Sequence, residues 1–336
     1  MSGYRIAIVG ATGLVGQTLL QVLADYRLPL AELVPLAREG QGRRVRFGNE
    51  ELAVEPLDAM DWRRVEVAFF AAGNPVSEAY VPEALRHQVT VIDKSSRWRM
   101  DPEIPLVVPQ VNRHAIGDAP LIASPNCSTI QLVIALAPIY RRYGLKRVIV
   151  STYQSVSGTG REAVVELEEE IRAHVEGKTY APQVYPVPIA QNVLAYCDAF
   201  GEQDYTGEEW KLMRETPKIL GTPVRLSATA VRVPVQVGHA ESVYLETERP
   251  WALDEIRDLL QHSPAIRVVD DPGAGLVPTP LDAAGQDDVL VGRLRRDPYE
   301  ANGLHMFVVA DNLRRGAATN AIDIMLAIAD RWNLGG

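Results

Sequence analysis

Cysteine is almost missing from this chain: 336 residues carry two, Cys127 and Cys197. Two isolated thiols without CxxC spacing exclude a disulfide framework and a thiolate metal site, and they fit a reducing compartment. Long apolar runs are missing too. No stretch reaches the roughly 20 residues that a membrane-spanning helix needs. The chain opens directly on the strand-like "YRIAIVG", with no charged and apolar leader before it, so a soluble, cytoplasmic protein is expected. Positive charge is in deficit, since 34 Lys and Arg against 43 Asp and Glu leave a net charge of -9. That disfavours general nucleic-acid binding but leaves room for a small anion held by a few local cations. No internal repeat or low-complexity tract is present. What remains is ordinary globular composition, 47% apolar and 23% charged, at a length that favours two domains.

The first half alternates strands with helices. "YRIAIVG", "AELVPLA", "VEVAFFAAG" and "VTVID" are short apolar runs of the kind buried in a parallel sheet. "LVGQTLLQVLADY" and "SEAYVPEALRHQ" carry helical spacing between them. This order implies a doubly wound parallel sheet with right-handed crossovers. Beyond residue 145 the texture changes. "KRVIVSTYQSV", "VRLSATAVRVPV" and "AESVYLETERP" read as longer strands of a mixed sheet with helices on one face. "YAPQVYPVPIAQN" reads as an extended surface segment. The amphipathic "AATNAIDIMLAIADRW" is a last helix able to return to the first domain. The fold class is therefore α/β: a Rossmann-type domain plus an α+β domain with a large mixed sheet.

"VGATGLVGQ" places Gly10, Gly13 and Gly16 between the first strand and the first helix, with Ala11, Thr12, Leu14 and Val15 filling the turn. Gly10 permits a tight turn, Gly13 admits a pyrophosphate, and Gly16 lets helix and strand pack closely. The spacing is GxxGxxG rather than GxGxxG, so the strand-turn-helix context carries the dinucleotide reading. The second strand ends on Arg38, where NAD-binding chains place an acid. A cation there suits the 2′-phosphate of NADP, although Glu39 is adjacent. Arg43 and Arg44 follow.

"ASPNCST" puts Cys127 after a Pro-Asn turn and at the head of an apolar helix. The helix N-terminus favours a thiolate, and Asn126 offers an amide donor beside the sulfur. Ser128 and Thr129 are placed to bond first-turn N–H groups or a cofactor. Cys197, among apolar neighbours, reads as a buried core residue. Of six histidines, His87, His114, His174 and His262 read as surface groups and His305 as a structural strand residue. His239 follows a glycine at a strand break; alone it reads as structural, and paired with Arg232 seven residues earlier and with Cys127 it becomes an acid/base candidate.

"IVGATGLVG", "SPNCSTI", "STYQSVSGTGREA", "RVPVQVGHAE" and "DNLRRGAATNA" together resemble the aspartate-semialdehyde dehydrogenase family, in order and over essentially the whole chain. The resemblance implies an NADP-dependent phosphorylating aldehyde dehydrogenase. Such an enzyme reduces 4-aspartyl phosphate to aspartate 4-semialdehyde and phosphate, toward lysine (through diaminopimelate), threonine and methionine. It implies Cys127 as nucleophile, His239 as acid/base, Gln154 as the group orienting the acyl intermediate, and Asn126 beside the thiol. It further implies Arg232 for the substrate carboxylate, Glu208 for the ammonium, and Arg99 and Lys211 for the phosphate. The cofactor NADP(H) is expected on residues 10–16, Arg38, Ser157, Gly158 and Asn312, and no metal is expected. The implied domains are 1–126 with 314–336 for the cofactor, and 127–313 for catalysis and dimerisation. A homodimer is implied, with a dimer of dimers left open. Lys94, in "DKSS", stands where the family usually has asparagine, and "LAREGQGRR" lacks the usual serine-rich turn. Two rivals stay open: an N-acetylglutamyl-phosphate reductase-like enzyme, and a non-catalytic scaffold that kept the fold.

Overall fold

The computed structural model describes residues 3–40 and 42–332. In chain order come β1 (Tyr4–Val9), α1 (Leu14–Tyr26), β2 (Leu30–Ala37), β3 (Arg44–Phe47), β4 (Glu50–Ala53), β5 (Glu55–Pro56), β6 (Val67–Phe70), α2 (Asn74–Arg86), β7 (Thr90–Asp93), α3 (Pro109–Asn112) and β8 (Leu121–Ala123). There follow α4 (Cys127–Tyr143), β9 (Arg147–Gln154), α5 (Arg161–Val175), α6 (Gly207–Leu220), β10 (Arg225–Arg232), β11 (His239–Glu246), α7 (Leu253–Gln261), β12 (Ile266–Val268), α8 (Pro280–Ala283), β13 (Val289–Arg296) and β14 (Gly303–Ala310). A π-helical turn over Arg314–Thr319 leads into α9 (Asn320–Trp332). The chain divides into two compact units, Met1–Asn126 with Ala317–Gly336, and Cys127–Gly316. Residues 333–336, part of the expected cofactor domain, lie outside the described residues.

The first unit is the expected Rossmann-type layer. Its sheet is parallel, in the order β5-β2-β1-β6-β7-β8. β1 shows why its sequence is continuously apolar rather than alternating. Ile6 and Ile8 pack with Leu19, Leu23 and Ile322 on one face. Ala7 and Val9 pack with Trp62, Val76 and Val81 on the other. A strand covered on both faces has no solvent side to mark with polar residues. The β3–β4 hairpin, "RVRFGNEELA", was not legible in the sequence. Its apolar content is only Val45, Phe47, Leu52 and Ala53, too little for a strand pattern to stand out.

The second unit is built on the mixed sheet β10-β9-β11-β14-β13-β12. β9 alternates cleanly: Val148, Val150, Thr152 and Gln154 are buried, while Ile149, Ser151 and Tyr153 reach further toward solvent. The buried face changes chemistry along its length. It is apolar at Val148 and Val150 and polar at Thr152 and Gln154. The neighbouring strands change in the same way, to Arg232 on β10 and to Glu241 and His239 on β11. Register aligns these positions, with Arg232 opposite Gln154 and Glu241 opposite Thr152. One end of a packed sheet is thus lined with polar side chains that no core requires.

The proline-rich stretch forms no strand, as expected, but it is tied down rather than loosely extended. Two buried carboxylates of α5 receive its backbone N–H groups. Glu166 accepts from Gln183, Val184 (2.7 Å) and Tyr185 (3.1 Å), and Glu170 accepts from Ile189 (2.9 Å) and Ala190 (2.6 Å). A chain broken by prolines cannot satisfy these donors in a ladder, so side chains do it. Glu166→Ala should lower unfolding stability by about 2–4 kcal/mol, since several donors lose a charged acceptor at once. A urea titration that leaves the midpoint unchanged would refute this.

Candidate active site

The glycine turn of the first unit is shaped by close approach. Gly10 has φ +88°, and a Cβ there would lie 2.8 Å from the Ala71 carbonyl oxygen. A Cβ on Gly16 would lie 2.2 Å from the Gly10 oxygen, so α1 starts against the end of β1 only because position 16 is bare. Gly13 caps α1 without a side chain. The helix therefore begins on backbone alone, a cradle that fits a dinucleotide pyrophosphate. Arg38 follows the end of β2, exposed beside an exposed Glu39.

Arg99 is also in this unit. It is buried, and its Nη2 donates to the Lys94 carbonyl at 2.7 Å. Lys94 has a structural partner set of its own. Its Nζ donates to Ser124 Oγ (3.0 Å) and the Pro125 carbonyl (3.2 Å), fixing the turn that leads into Asn126 and α4. Asn320 Nδ2 holds the same Ser124 Oγ at 2.9 Å.

The second unit brings together Cys127, Gln154, Ser157, Gly158, Glu208, Lys211, Arg232, His239 and Asn312. Cys127 is the first residue of α4 and stays partly exposed, while Cys197 is buried and its thiol is pushed up to about 12 by that burial. Ser128 reaches a partner that the sequence did not suggest. Its Oγ donates to Glu208 Oε1 at 2.8 Å, because α6 brings that acceptor within reach. Gln154 Nε2 donates to the same oxygen at 2.9 Å. Glu208 Oε2 meets Lys211 Nζ at 3.3 Å, and Asp198 holds Lys211 from its other side at 2.9 Å. A simple exposed helix pair is excluded, since Glu208 is only 6% exposed. Asp198 was invisible in sequence, because nothing in its local pattern links it to a lysine on α6.

His239 is fully buried. Its Nδ1 receives the Ser155 backbone N–H at 3.1 Å. That bond assigns the ring's proton to Nε2 in the neutral form. Burial, then the charge of Arg232, push the imidazole down to about 3, so the ring is neutral at ordinary pH. Nε2 has no hydrogen-bond partner among the described residues. It stands ready as a donor, as a neutral imidazole does when it polarises a carbonyl. Arg232 Nη1 donates to the Ser155 carbonyl at 2.7 Å. A Cβ on Gly158 would lie 2.9 Å from Arg232 Nη1 and 3.1 Å from His239 Nε2, so a larger residue there would press on both side chains. Asn312 steadies this corner. Its Oδ1 accepts from Ser155 Oγ (3.1 Å) and the Gly238 N–H (2.9 Å), and its Nδ2 donates to Ser157 Oγ (3.0 Å).

Gly316 was missed in sequence because its role depends on a contact with the head of α4, far away along the chain. A Cβ there would lie 2.9 Å from Cys127 Cβ and 3.2 Å from its Cα. The π-helical turn holds Gly316 directly against the thiol-bearing residue, a common setting for such turns. Gly316→Ala should displace Cys127 and lower kcat by about tenfold to a hundredfold while the melting temperature hardly moves. An unchanged rate of Cys127 alkylation and an unchanged kcat would overturn that expectation.

Among the described residues, no cluster of His, Cys, Asp or Glu is arranged to hold a metal, and no helix is long and apolar enough to cross a membrane. A glycine turn fit for a dinucleotide in one unit, and a helix-borne cysteine with a buried polar cluster in the other, point to a class: dinucleotide-dependent oxidoreductases. Comparison with known proteins narrows this. Residues 5–119 match the family model of the semialdehyde dehydrogenase NAD binding domain, and residues 136–315 match the model of the semialdehyde dehydrogenase dimerisation domain. Aspartate-semialdehyde dehydrogenase of Aquifex aeolicus is 46% identical over 329 residues, covering 96% of this chain and 97% of that protein. That of Bacillus subtilis is 44% identical over 333 residues, covering 96% of each. The structure of aspartate semialdehyde dehydrogenase II from Vibrio cholerae complexed with ASA superposes with a TM-score of 0.96 at 40% identity, covering 99% of this chain and 100% of that one. The chain belongs to the aspartate-semialdehyde dehydrogenase family.

Proposed function

We propose that this chain interconverts 4-aspartyl phosphate and aspartate 4-semialdehyde, with phosphate and NADP(H), in the cytoplasmic biosynthesis of lysine, threonine and methionine. The observation that carries this reading is the polar end of the second unit's sheet. There a guanidinium, a buried carboxylate with its lysine, and a neutral imidazole accompany the cysteine at the head of α4. Each suits a different group of an amino-acid acyl phosphate. Arg232 presents a planar fork for the α-carboxylate. Glu208 offers a negative charge for the ammonium. Lys211 and Arg99 carry positive charge for the phosphate. Asn126 provides an amide beside the reacting carbon.

In the reductive direction Cys127 Sγ attacks the acyl carbon, the C–O bond to phosphate breaks, and phosphate leaves as the anion. The thioester that remains accepts hydride more readily than a carboxylate would. A reduced nicotinamide cofactor, when bound, would supply that hydride. The oxyanion then re-forms the carbonyl as the C–S bond breaks, which returns the thiolate and frees the aldehyde. His239 Nε2–H donates to this oxygen throughout, and Gln154 holds Glu208 and Ser128 in place around the acyl group. Arg232 depresses the imidazole in the free protein. A carboxylate bound to Arg232 cancels that effect, so substrate binding raises the proton affinity of His239 when the oxyanion needs it.

Residues 10–16 would hold the cofactor pyrophosphate, and Ser157, Gly158 and Asn312 belong to the same proposed set of cofactor-binding residues. Arg38 takes the 2′-phosphate and sets a preference for NADP over NAD. Homodimers form through the half-exposed face of the mixed sheet that carries Tyr153, Tyr244 and Phe307.

The test is an initial-rate comparison in the oxidative direction with inorganic phosphate. Aspartate semialdehyde should exceed N-acetylglutamate semialdehyde by about 10²-fold or more in kcat/KM, since only the former supplies an ammonium for Glu208. NADP should outperform NAD. Preference for the N-acetylated substrate would transfer the chain to the rival reductase. NADPH binding without any turnover would make it a scaffold.

A further inference from the structure

Glu241 is a buried ionisable group for which the mechanism above has no use. It lies two residues beyond His239 on β11, so both side chains project from the same face of the sheet. It is fully buried, and neither carboxyl oxygen has a well-formed hydrogen bond among the described residues, although the Gln131 side chain lies close enough to act on the carboxyl. Its neighbours on the flanking strands are Thr152 on β9 and Val308 on β14. Neither is a cation. From α4 comes Gln131, one helical turn after Cys127 and fully buried. Gln131 Nε2 donates to the His239 carbonyl at 3.2 Å, while its Oε1 is a third buried oxygen without a partner. The charged group facing Glu241 from α6 is Glu208, of like sign.

An ionised carboxylate in this place would sit unpaired in a dry interior and beside a second carboxylate. Both circumstances are strongly unfavourable. A single proton on Glu241 removes the charge and creates a donor for the orphaned Gln131 oxygen. We propose that Glu241 is kept as the neutral acid and forms with Gln131 a positioning pair that ties the cysteine-bearing turn of α4 to the histidine-bearing start of β11. The pair spares Glu208 a second carboxylate charge on its Gln131 side. Burial first, then the field of Glu208, raise the Glu241 carboxyl well above its ordinary 4.5, and the Gln131 amide opposes them in part. Glu241 is a positioning residue and does not touch substrate.

The sign of the pH effect follows. Above its ordinary 4.5 the unfolded chain carries Glu241 ionised, while the proposed pair holds it protonated in the folded chain, in the direction that burial shifts it. Folding then takes up a proton, and this group's contribution to stability falls as pH rises. Glu241→Gln preserves shape and neutrality without a titrating proton. Its melting temperature should gain on the wild type steadily from pH 5 to pH 9.

The inference rests on the proposed reaction, so its test is arranged to fail separately. Infrared spectra of wild type and E241Q at pH 8 are compared without substrate. Wild type should show a protonated carboxylic-acid carbonyl band that E241Q lacks. The kcat of E241Q should stay within about twofold of wild type, while Glu241→Leu should lose about tenfold to a hundredfold, with KM for the semialdehyde little changed. Alkylation of Cys127 should be altered in E241L and normal in E241Q. No missing acid band, equal losses in E241Q and E241L, or an unaffected E241L would each overturn the proposal. A wild type inactive on aspartate semialdehyde that still shows the band and the alkylation pattern would sink the functional reading and leave this inference standing.

Discussion

Cys127→Ala should abolish turnover, with a loss of about 10⁴-fold or more in kcat, and leave dinucleotide binding intact. The expectation follows from covalent chemistry, because no other group nearby can carry the acyl chain as a thioester. Cys197 is no substitute, being 2% exposed with its thiol pushed up to about 12. Native wild type should therefore take up iodoacetamide at a single thiol, and the variant at none. Mass spectrometry of protein mixed with acyl phosphate should find the thioester in wild type alone. The substitution is mild for the fold, since alanine is the best helix former at the head of α4. Residual turnover within about tenfold of wild type would refute the covalent route.

His239→Ala should lose about 10²–10³-fold in kcat, the usual cost of removing one oxyanion donor. His239→Gln should recover part of this loss, because its amide supplies an N–H without titrating. Loss in Gln equal to that in Ala would show that full proton transfer, rather than hydrogen bonding, is required. The pH dependence separates the two further. In the free protein the imidazole is lowered to about 3 by burial and then by Arg232. The profile of kcat/KM should therefore lack a histidine inflection between pH 5 and 7. Stability carries the same signature. Below its ordinary 6.5 the ring is protonated in the unfolded chain but remains neutral in the folded one until about 3. The unfolded state binds the extra proton, so wild-type stability falls with acidification across that window. His239→Gln should flatten this slope, as read by urea melts at pH 4 and pH 7.

The fold was readable to a large extent. Both sheets announce themselves in texture, the parallel one by continuous apolar runs and the mixed one by alternation such as Val148, Val150 and Thr152 against Ile149, Ser151 and Tyr153. The β3–β4 hairpin and the carboxylates that anchor the proline-rich stretch were not readable. Glu166 and Glu170 look like solvated helix charges in sequence, and only the return of residues 183–190 over α5 turns them into acceptors. Within the site, the local motif flagged Cys127 on its own chemistry, and His239 only in company with Cys127 and Arg232. The roles of Gln154, Glu208, Lys211, Arg232 and Arg99 came from family resemblance, since each alone reads as an ordinary strand, helix or loop residue.

What the sequence determined by itself is whatever depends on neighbours along the chain: a bare strand-turn-helix at Gly10 to Gly16, and a thiol at the head of an apolar helix. Tertiary structure decided the rest. It chose the tautomer of His239 through the Ser155 N–H, the burial of Glu208, the contact of Gly316 with Cys127, and the isolation of Glu241. The reason is physical. Charge state and hydrogen-bond direction are set by the dielectric and by donors brought in from distant segments, and neither is written in local order.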